Sequence, residues 1–336
     1  MLLFDDVAAQ YRDFAAYAAG DSPTFESWAR ELADDPEVLA WVGGLPPIKQ
    51  QPNLVFAAAR FHGVPAPGPY AGLRDALLGD DGTLRGTILS RATQTNEVGR
   101  LATLLPAFAR IHADEQRPLA LLEVGASAGL CLYPDRWSYT WRTDDGDVRL
   151  GDVTGGDVPE LVCRVKGAPG DTPLPASLPA VAWRGGIDLN PLRVDDPDDM
   201  AWLTALIWPE HDDRRARIRR AIDIAAAEPP RVRAGDLLEE LPAMVEEAAA
   251  YGAVVVFHSA VIAYLEPADR DRFDTMVRRL VAEGRCRWVS NEGKGVLPSV
   301  TATGPAIPPE KPTFVLGLDG RAVAHTHGHG RSLRFV

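Results

Sequence analysis

Residues 119–130 read Leu-Ala-Leu-Leu-Glu-Val-Gly-Ala-Ser-Ala-Gly-Leu. An apolar run ends in a carboxylate, Glu123, and Gly125, Ser127 and Gly129 follow at alternate positions. The pattern suits a buried strand running into a glycine-rich turn, where backbone can come close to a ligand. Two chemistries fit these residue types. Glu-x-Gly-x-Ser-x-Gly can cradle a nucleotide-type cofactor. Gly-x-Ser-x-Gly can be the elbow of a serine hydrolase, with Ser127 as nucleophile. More polar residues stand at the ends of later apolar runs: Asp188 in Gly186-Ile-Asp-Leu-Asn-Pro191, Asp236 after Gly235, His258-Ser259 after Ala253-Val-Val-Val-Phe257, and Asn291-Glu292. In open parallel sheets, ligands bind outside the carboxyl ends of the strands. A carboxylate there can accept both hydroxyls of a ribose, and a second can accept from an adenine amine. A histidine titrates near neutrality and is a natural base.

The elements that would position these groups follow from periodicity. Residues 1–115 read as a helical domain. Phe4, Val7, Ala8, Tyr11, Phe14 and Ala18 mark one helix face, and Ser22-Pro23 suits an N-cap followed by proline at the first helical position. Further helices are expected near 24–33, 36–42, 52–62, 70–78 and 95–113. The polar stretch Ser90 to Arg100 opens the last of these, and Arg91, Gln94, Asn96 and Glu97 are expected to close one side of a cleft as acceptor contacts. From residue 116 short apolar runs alternate with helices. Strands are expected at 119–124, 137–141, 148–150, 161–165, 180–188, 231–236, 253–259 and 287–292, with three more at 313–318, 322–325 and 332–336. Residues 132–180 form an inserted β-hairpin unit, turning at Asp144-Asp-Gly-Asp147 and closing in a Pro-rich link from Pro169 to Pro179. Helices are expected at 199–206, 212–227, 237–250 and 267–282. This grammar predicts an α/β fold, a mostly parallel sheet with an antiparallel C-terminal edge, beside an N-terminal helical domain.

Composition bounds the function. The chain has 336 residues, 46% of them hydrophobic, and a net charge of −12. That acidity argues against non-specific binding to nucleic acid or an anionic membrane. Three widely spaced cysteines, Cys131, Cys163 and Cys286, fit neither a disulfide framework nor a zinc finger. The first residues carry no basic, apolar signal-peptide pattern, and the apolar run at 253–265 is too short to span a bilayer. A cytoplasmic protein is expected.

The order Leu121-Leu-Glu-Val-Gly-Ala-Ser-Ala-Gly129, Gly186-Ile-Asp-Leu-Asn-Pro191, Gly235-Asp-Leu-Leu238 and Val254-Val-Val-Phe-His-Ser-Ala-Val-Ile-Ala-Tyr-Leu265 resembles the class I S-adenosylmethionine-dependent methyltransferases over residues 119–336. Nearly the whole chain is similar to an uncharacterised bacterial family, through that first loop, Gln94-Thr-Asn-Glu97, Trp208-Pro-Glu210 and Ser290-Asn-Glu-Gly293. The superfamily resemblance implies a Rossmann-like sheet of seven strands and S-adenosylmethionine as cofactor. It also implies transfer of a methyl group to a small-molecule or protein acceptor. Glu123, Gly125, Ser127 and Gly129 would form the cofactor loop. Asp188 would hold the ribose, Asp236 the adenine edge, and His258 and Ser259 the reacting centre. The catalytic candidates are His258, Glu97 and Arg91; the acceptor-binding candidates are Gln94 and Asn96. Ser127 replaces the usual second glycine, and Glu123 and Asp188 are 65 positions apart, which the insertion at 132–180 explains. A rival register makes 137–141 the second strand and Asp144 the ribose acid.

Three alternatives stand beside this one. A hydrolase would use Ser127 with a later acid and histidine, but its fold needs strands before the elbow, where helices are expected. His325, His327 and His329 would share one face of an extended strand and could meet at a metal; a polar strand and turn is the preferred expectation, with no metal. The same fold could also bind a nucleoside without turnover, or serve as a scaffold.

Overall fold

The computed structural model describes residues 6–94, 96–151, 159–167 and 173–336. Phe4, Thr95 and part of the Pro-rich link from Pro169 lie outside these residues. The chain opens with seven helices: α1 (Val7–Ala18), α2 (Pro23–Leu32), α3 (Pro36–Gly43), α4 (Pro52–Phe61), α5 (Tyr70–Leu78), α6 (Thr83–Ser90) and α7 (Leu101–Glu115). Their starts follow from local chemistry. The carboxylates of Asp6 and Asp35 and the hydroxyl of Ser22 accept from the first free N–H groups of α1, α3 and α2, and proline opens α2 and α3. The rest of the chain runs β1 (Leu119–Val124), β2 (Ser138–Thr143), β3 (Gly146–Leu150), β4 (Glu160–Lys166), β5 (Val181–Asp188), α8 (Pro197–Ala205), α9 (Asp212–Ala227), β6 (Arg231–Ala234), α10 (Leu237–Ala249), β7 (Ala253–Ser259), α11 (Pro267–Ala282), β8 (Arg287–Gly293), α12 (Pro298–Thr301), β9 (Phe314–Leu318), β10 (Arg321–Thr326) and β11 (Ser332–Phe335).

Two features differ from expectation along the first hundred residues. Helix α6 is new; it begins after a left-handed Gly82 and contains Gly86, which dilute its helical signal. The expected helix at 95–113 starts only at Leu101. Before it, Glu97 caps a single 3₁₀ turn, Val98–Arg100, by accepting from the Gly99 N–H at 3.0 Å.

The chain folds as two compact units, and they cut it elsewhere than at residue 115. One holds residues 1–95 and 195–219, the other residues 96–194 and 220–336. In the first, the α4–α8 contact brings the returning segment onto the N-terminal helices. Trp208 joins Phe14, Tyr17 and Phe25 in an aromatic cluster, and its indole N–H donates to Asn53 at 2.9 Å. Glu210 accepts from the Ser22 hydroxyl and from the Thr24 N–H. Trp208-Pro-Glu210 therefore holds the helical unit together. In the second, α7 lies against β4, β7, β8 and β9, so it belongs with the sheet.

That sheet has eleven strands in the order β3-β2-β4-β11-β10-β9-β8-β7-β1-β5-β6. It is mostly parallel. Strands β6, β5, β1, β7 and β8 pair in parallel throughout, and the sequence order reverses between β1 and β7. The antiparallel C-terminal strands do not form the expected edge but lie inside the sheet, and the strands number eleven among the described residues, not the expected seven. Strand β11 pairs in parallel with β4, β4 with β2, and β2 forms a hairpin with β3. The insertion thus extends the sheet. The reason lies in alternation: Leu161, Cys163 and Val165 of β4, like Leu333 and Phe335 of β11, are buried and intervening residues are exposed, so pairing continues one buried face.

One sheet face carries α7, where Phe108 meets Phe257 edge-on at 5.1 Å. The other packs Ala120, Leu122, Val124, Val254, Val256 and Trp288 against Leu241 and Met244 of α10 and Phe273 and Val277 of α11. Each large apolar side chain buried there contributes roughly 1.5–3 kcal/mol. Among the described residues no helix is long and apolar enough to cross a membrane.

Candidate functional site

The turn after β1 sits at the strand-order reversal, and its backbone is almost fully tied down. The N–H groups of Gly125 and Ala126 donate to the Ile187 carbonyl at 2.8 and 3.1 Å, and that of Gly129 to Ala126 at 2.7 Å. Ser127 N–H donates to Asp188 Oδ2 at 2.7 Å, and Leu130 N–H to Asn96 Oδ1 at 2.9 Å. Gly125, Ser127 and Gly129 all have left-handed φ, at 68°, 53° and 70°. A Cβ on Gly125 would meet Val261 Cγ1 at 2.4 Å, and one on Gly129 would meet Pro230 Cγ at 2.8 Å. Both glycines are therefore required twice over, by conformation and by packing.

Asp188 stands where β5 follows β1 in register, with Glu123 opposite Gly186. This settles the rival register: β2 lies at the far end of the sheet, and Asp144 is in its hairpin tip. The Asp188 carboxylate accepts from Ser127 N–H and, through Oδ1, from Asn190 N–H at 2.8 Å, so it braces the turn. Asn96 brackets the same turn, its Nδ2 donating to the Ala126 carbonyl at 3.3 Å.

Two polar groups in the turn lack partners. Glu123 Oε2 and Ser127 Oγ are buried with no hydrogen bond among the described residues, and their side chains sit on residues only 5% and 4% exposed. Burial, reinforced by the charge of Asp188 and opposed by Arg100, holds the Glu123 carboxyl well above its ordinary value of 4.5. Around it lies a polar cluster on the α7 face. Arg100 donates to the Ser259 carbonyl at 2.9 Å and to the Gly328 carbonyl at 2.7 Å. Glu97 Oε2 lies 3.5 Å from His329 Nδ1. Burial, with Glu123 and Glu97 nearby, pushes the Cys131 thiol up. Arg100 has no place among the sequence candidates; the signal that could have found it is the need for a cation beside Glu123 and Glu97.

His258 is on the other face. Strand side chains alternate, so Phe257 and Ser259 face α7 with Glu123, and His258 faces α11 with Trp288 and Phe273. It is fully buried, and both ring nitrogens are engaged. The Trp288 indole N–H can only donate, so His258 Nε2 accepts it, at 3.1 Å, and Nδ1 donates to Glu292 Oε1 at 2.7 Å. That same oxygen accepts from the N–H groups of Val261 and Ile262. Glu292 thereby fixes the segment that lays Val261 over Gly125. Ser259, on the loop face, accepts from Asn291 Nδ2 at 3.0 Å, and Thr326 donates to Asn291 Oδ1 at 2.6 Å.

The remaining candidates are placed as follows. Asp236 is the N-cap of α10, accepting from Leu238 N–H at 2.7 Å, and is exposed. Arg91 belongs to the helical unit, where it pairs with Asp199 at 2.6 Å and Asp198 at 2.9 Å beside the rings of Phe61 and Trp202. Gln94 is half-buried in that unit. Strand β10 ends at Thr326, so His327 and His329 lie in a turn closed by Gly330 and do not continue the alternation of His325. No group of three metal-ligating side chains occurs among the described residues. Ser127 has the left-handed φ of a strained elbow, yet no described histidine accepts from its hydroxyl.

A family model described as uncharacterised proteins conserved in bacteria, DUF2332, matches residues 8–335. The chain belongs to this family. No curated protein and no solved structure matches it. In this DUF2332 member the two motifs within the sheet unit converge on one task. Asn96 clamps the turn after β1 from one side, and Glu292 of Ser290-Asn-Glu-Gly293 holds the segment that covers it.

Proposed function

We propose that the turn after β1 is the ligand site of this protein, that the ligand is S-adenosylmethionine, and that the protein is a methyltransferase on a Rossmann-like sheet acting on a small-molecule or protein acceptor. One observation carries this: Glu123 Oε2 and Ser127 Oγ are buried without partners at the point where strand order reverses. The N–H donors of Gly125, Ala126, Ser127, Gly129 and Leu130 are spent internally, so what the turn chiefly offers is acceptor capacity. That suits a ligand bearing an ammonium and ribose hydroxyls and disfavours one that needs N–H donors for a phosphate. Glu123 and Ser127 would hold those donors, and Asp188, at the end of the neighbouring strand, would take a ribose hydroxyl. The bound cofactor would supply an electrophilic methyl group; the chain's part is to orient it and exclude water. His258 has no role in this version, because its nitrogens are occupied on the opposite face.

One observation favours a second proposal, a ligand-binding protein without turnover: His258, the candidate base, has both ring nitrogens engaged on the face opposite the turn. Calorimetric titration with S-adenosylmethionine and S-adenosylhomocysteine tests both. Binding that weakens in Asp188→Ala supports the site, and absence of binding by folded protein defeats it. Methylated product then separates the enzyme from the binder, and an ester-hydrolysis assay with Ser127→Ala tests the hydrolase chemistry.

A further inference from the structure

The strands added by the insertion, with the β11 strand they pair with, carry a second feature that the β1 turn does not use. On β4 and β11 one face is buried and the other is open, and Arg142 at the end of β2 joins that open face. The open face presents Arg142, Arg164, Lys166 and Arg334, all exposed. Register sets like charges directly opposite one another, Arg142 against Arg164 and Lys166 against Arg334, and places His325 opposite Arg334. None of the four cations makes a side-chain hydrogen bond or ion pair with a described residue, whereas the neighbouring Arg149 reaches Asp147 at 3.5 Å. Burial, Lys311 and Arg334 together push the His325 imidazole below its ordinary value. Like charges opposed across a ladder destabilise a sheet. In a chain whose net charge is −12, such a concentration has a cost; Asp147, opposite Arg142 across the β2–β3 pair, offsets it at one end only.

We propose that this face docks an extended, carboxylate-rich segment of a partner protein. The spacing fits. Cations on adjacent strands are about 4.8 Å apart and Arg164 and Lys166 about 6.7 Å apart, and an extended peptide repeats its side chains on one face at that same 6.7 Å. The charge fits, and the partner need not be long, which suits a molecule whose overall charge repels long polyanions. Single-stranded nucleic acid is read by stacking bases on aromatic rings, and among the described residues the large hydrophobic exposed on this face is Val162, which offers no such platform.

Fluorescence anisotropy with a labelled oligo-glutamate peptide tests the assignment on the full chain. Binding is expected at low ionic strength, weakening as salt rises. Arg164→Glu with Lys166→Glu should bind at least about tenfold more weakly with an unchanged far-UV spectrum. Arg219→Glu with Arg220→Glu, an equal charge change on α9, should bind as the parent does. No binding at low salt, or an equal loss in the α9 control, overturns the proposal. Tighter binding of a single-stranded oligonucleotide of equal charge, or a salt-sensitive dimer that only the β4 variant loses, overturns it in favour of a nucleic acid or a second copy.

Discussion

The two halves of the sheet share one covering helix and differ in everything else. Helix α7 lies under both, touching β7 and β8 on one side and β4 on the other. Strands β5, β1, β7 and β8 also have α10 or α11 on their second face; β11 and β4 leave theirs open to water. The doubly covered half reads as near-continuous apolar runs, such as Leu119–Val124 with every residue buried, because both faces need apolar side chains. The singly covered half alternates, as in Glu160–Lys166. Polar groups in the first half must find partners inside the protein, and two that do not, Glu123 Oε2 and Ser127 Oγ, lie together at the strand-order reversal. Charges in the second half meet water, and their clustering marks a surface.

The largest effect is expected where packing is tightest, at Gly125. Gly125→Ala sets a methyl against Val261 at a left-handed φ and should cost about 2–4 kcal/mol, measured by urea unfolding. Adding Val261→Ala should restore the steric part and leave the φ part. Trp288→Phe should cost about 1–2 kcal/mol, because it orphans His258 Nε2 in the doubly covered half.

Glu123→Gln sharpens the contrast through pH. The folded-state value of Glu123 is raised by burial, so the unfolded chain ionises first as pH climbs past 4.5. Glu123 is thus neutral in effect below 4.5 and lowers stability as pH rises from there toward its folded value. Relative to the parent, Glu123→Gln should gain stability between pH 5 and pH 8 and show no gain below pH 4, read from paired thermal melts. The smallest effect belongs to the open half. Arg164→Glu removes a like-charge pair with Arg142 and should stabilise by about 0.2–0.5 kcal/mol, more at low salt than at high.

Periodicity and turn chemistry made the strands from Leu119 to Phe335 legible, and proline and cap residues made α2 and α3 so. Asp188 was legible as the acid beside the turn because its strand follows the pattern of β1. Other features were hidden for definite reasons. Pairing of β11 with β4 joins residues some 170 positions apart, and neither strand signals its neighbour locally. His258 was assigned to the loop because a strand buried on both faces does not disclose which way each residue points; its partners Trp288 and Glu292 decide that. Asn96 and Glu97 read as contacts for an acceptor because polar residues before an apolar helix suggest a cleft. Asn96 instead answers the backbone of a turn thirty residues away, and Glu97 caps the 3₁₀ turn beside His329.

The most direct test of the central claim follows backbone amide resonances during titration with S-adenosylhomocysteine. Shifts are expected to concentrate at Gly125, Ser127, Gly129 and Asn96, with the β4 amides of Arg164 and Lys166 unmoved. Saturating ligand that leaves residues 123–130 unshifted, or shifts centred elsewhere, would contradict it.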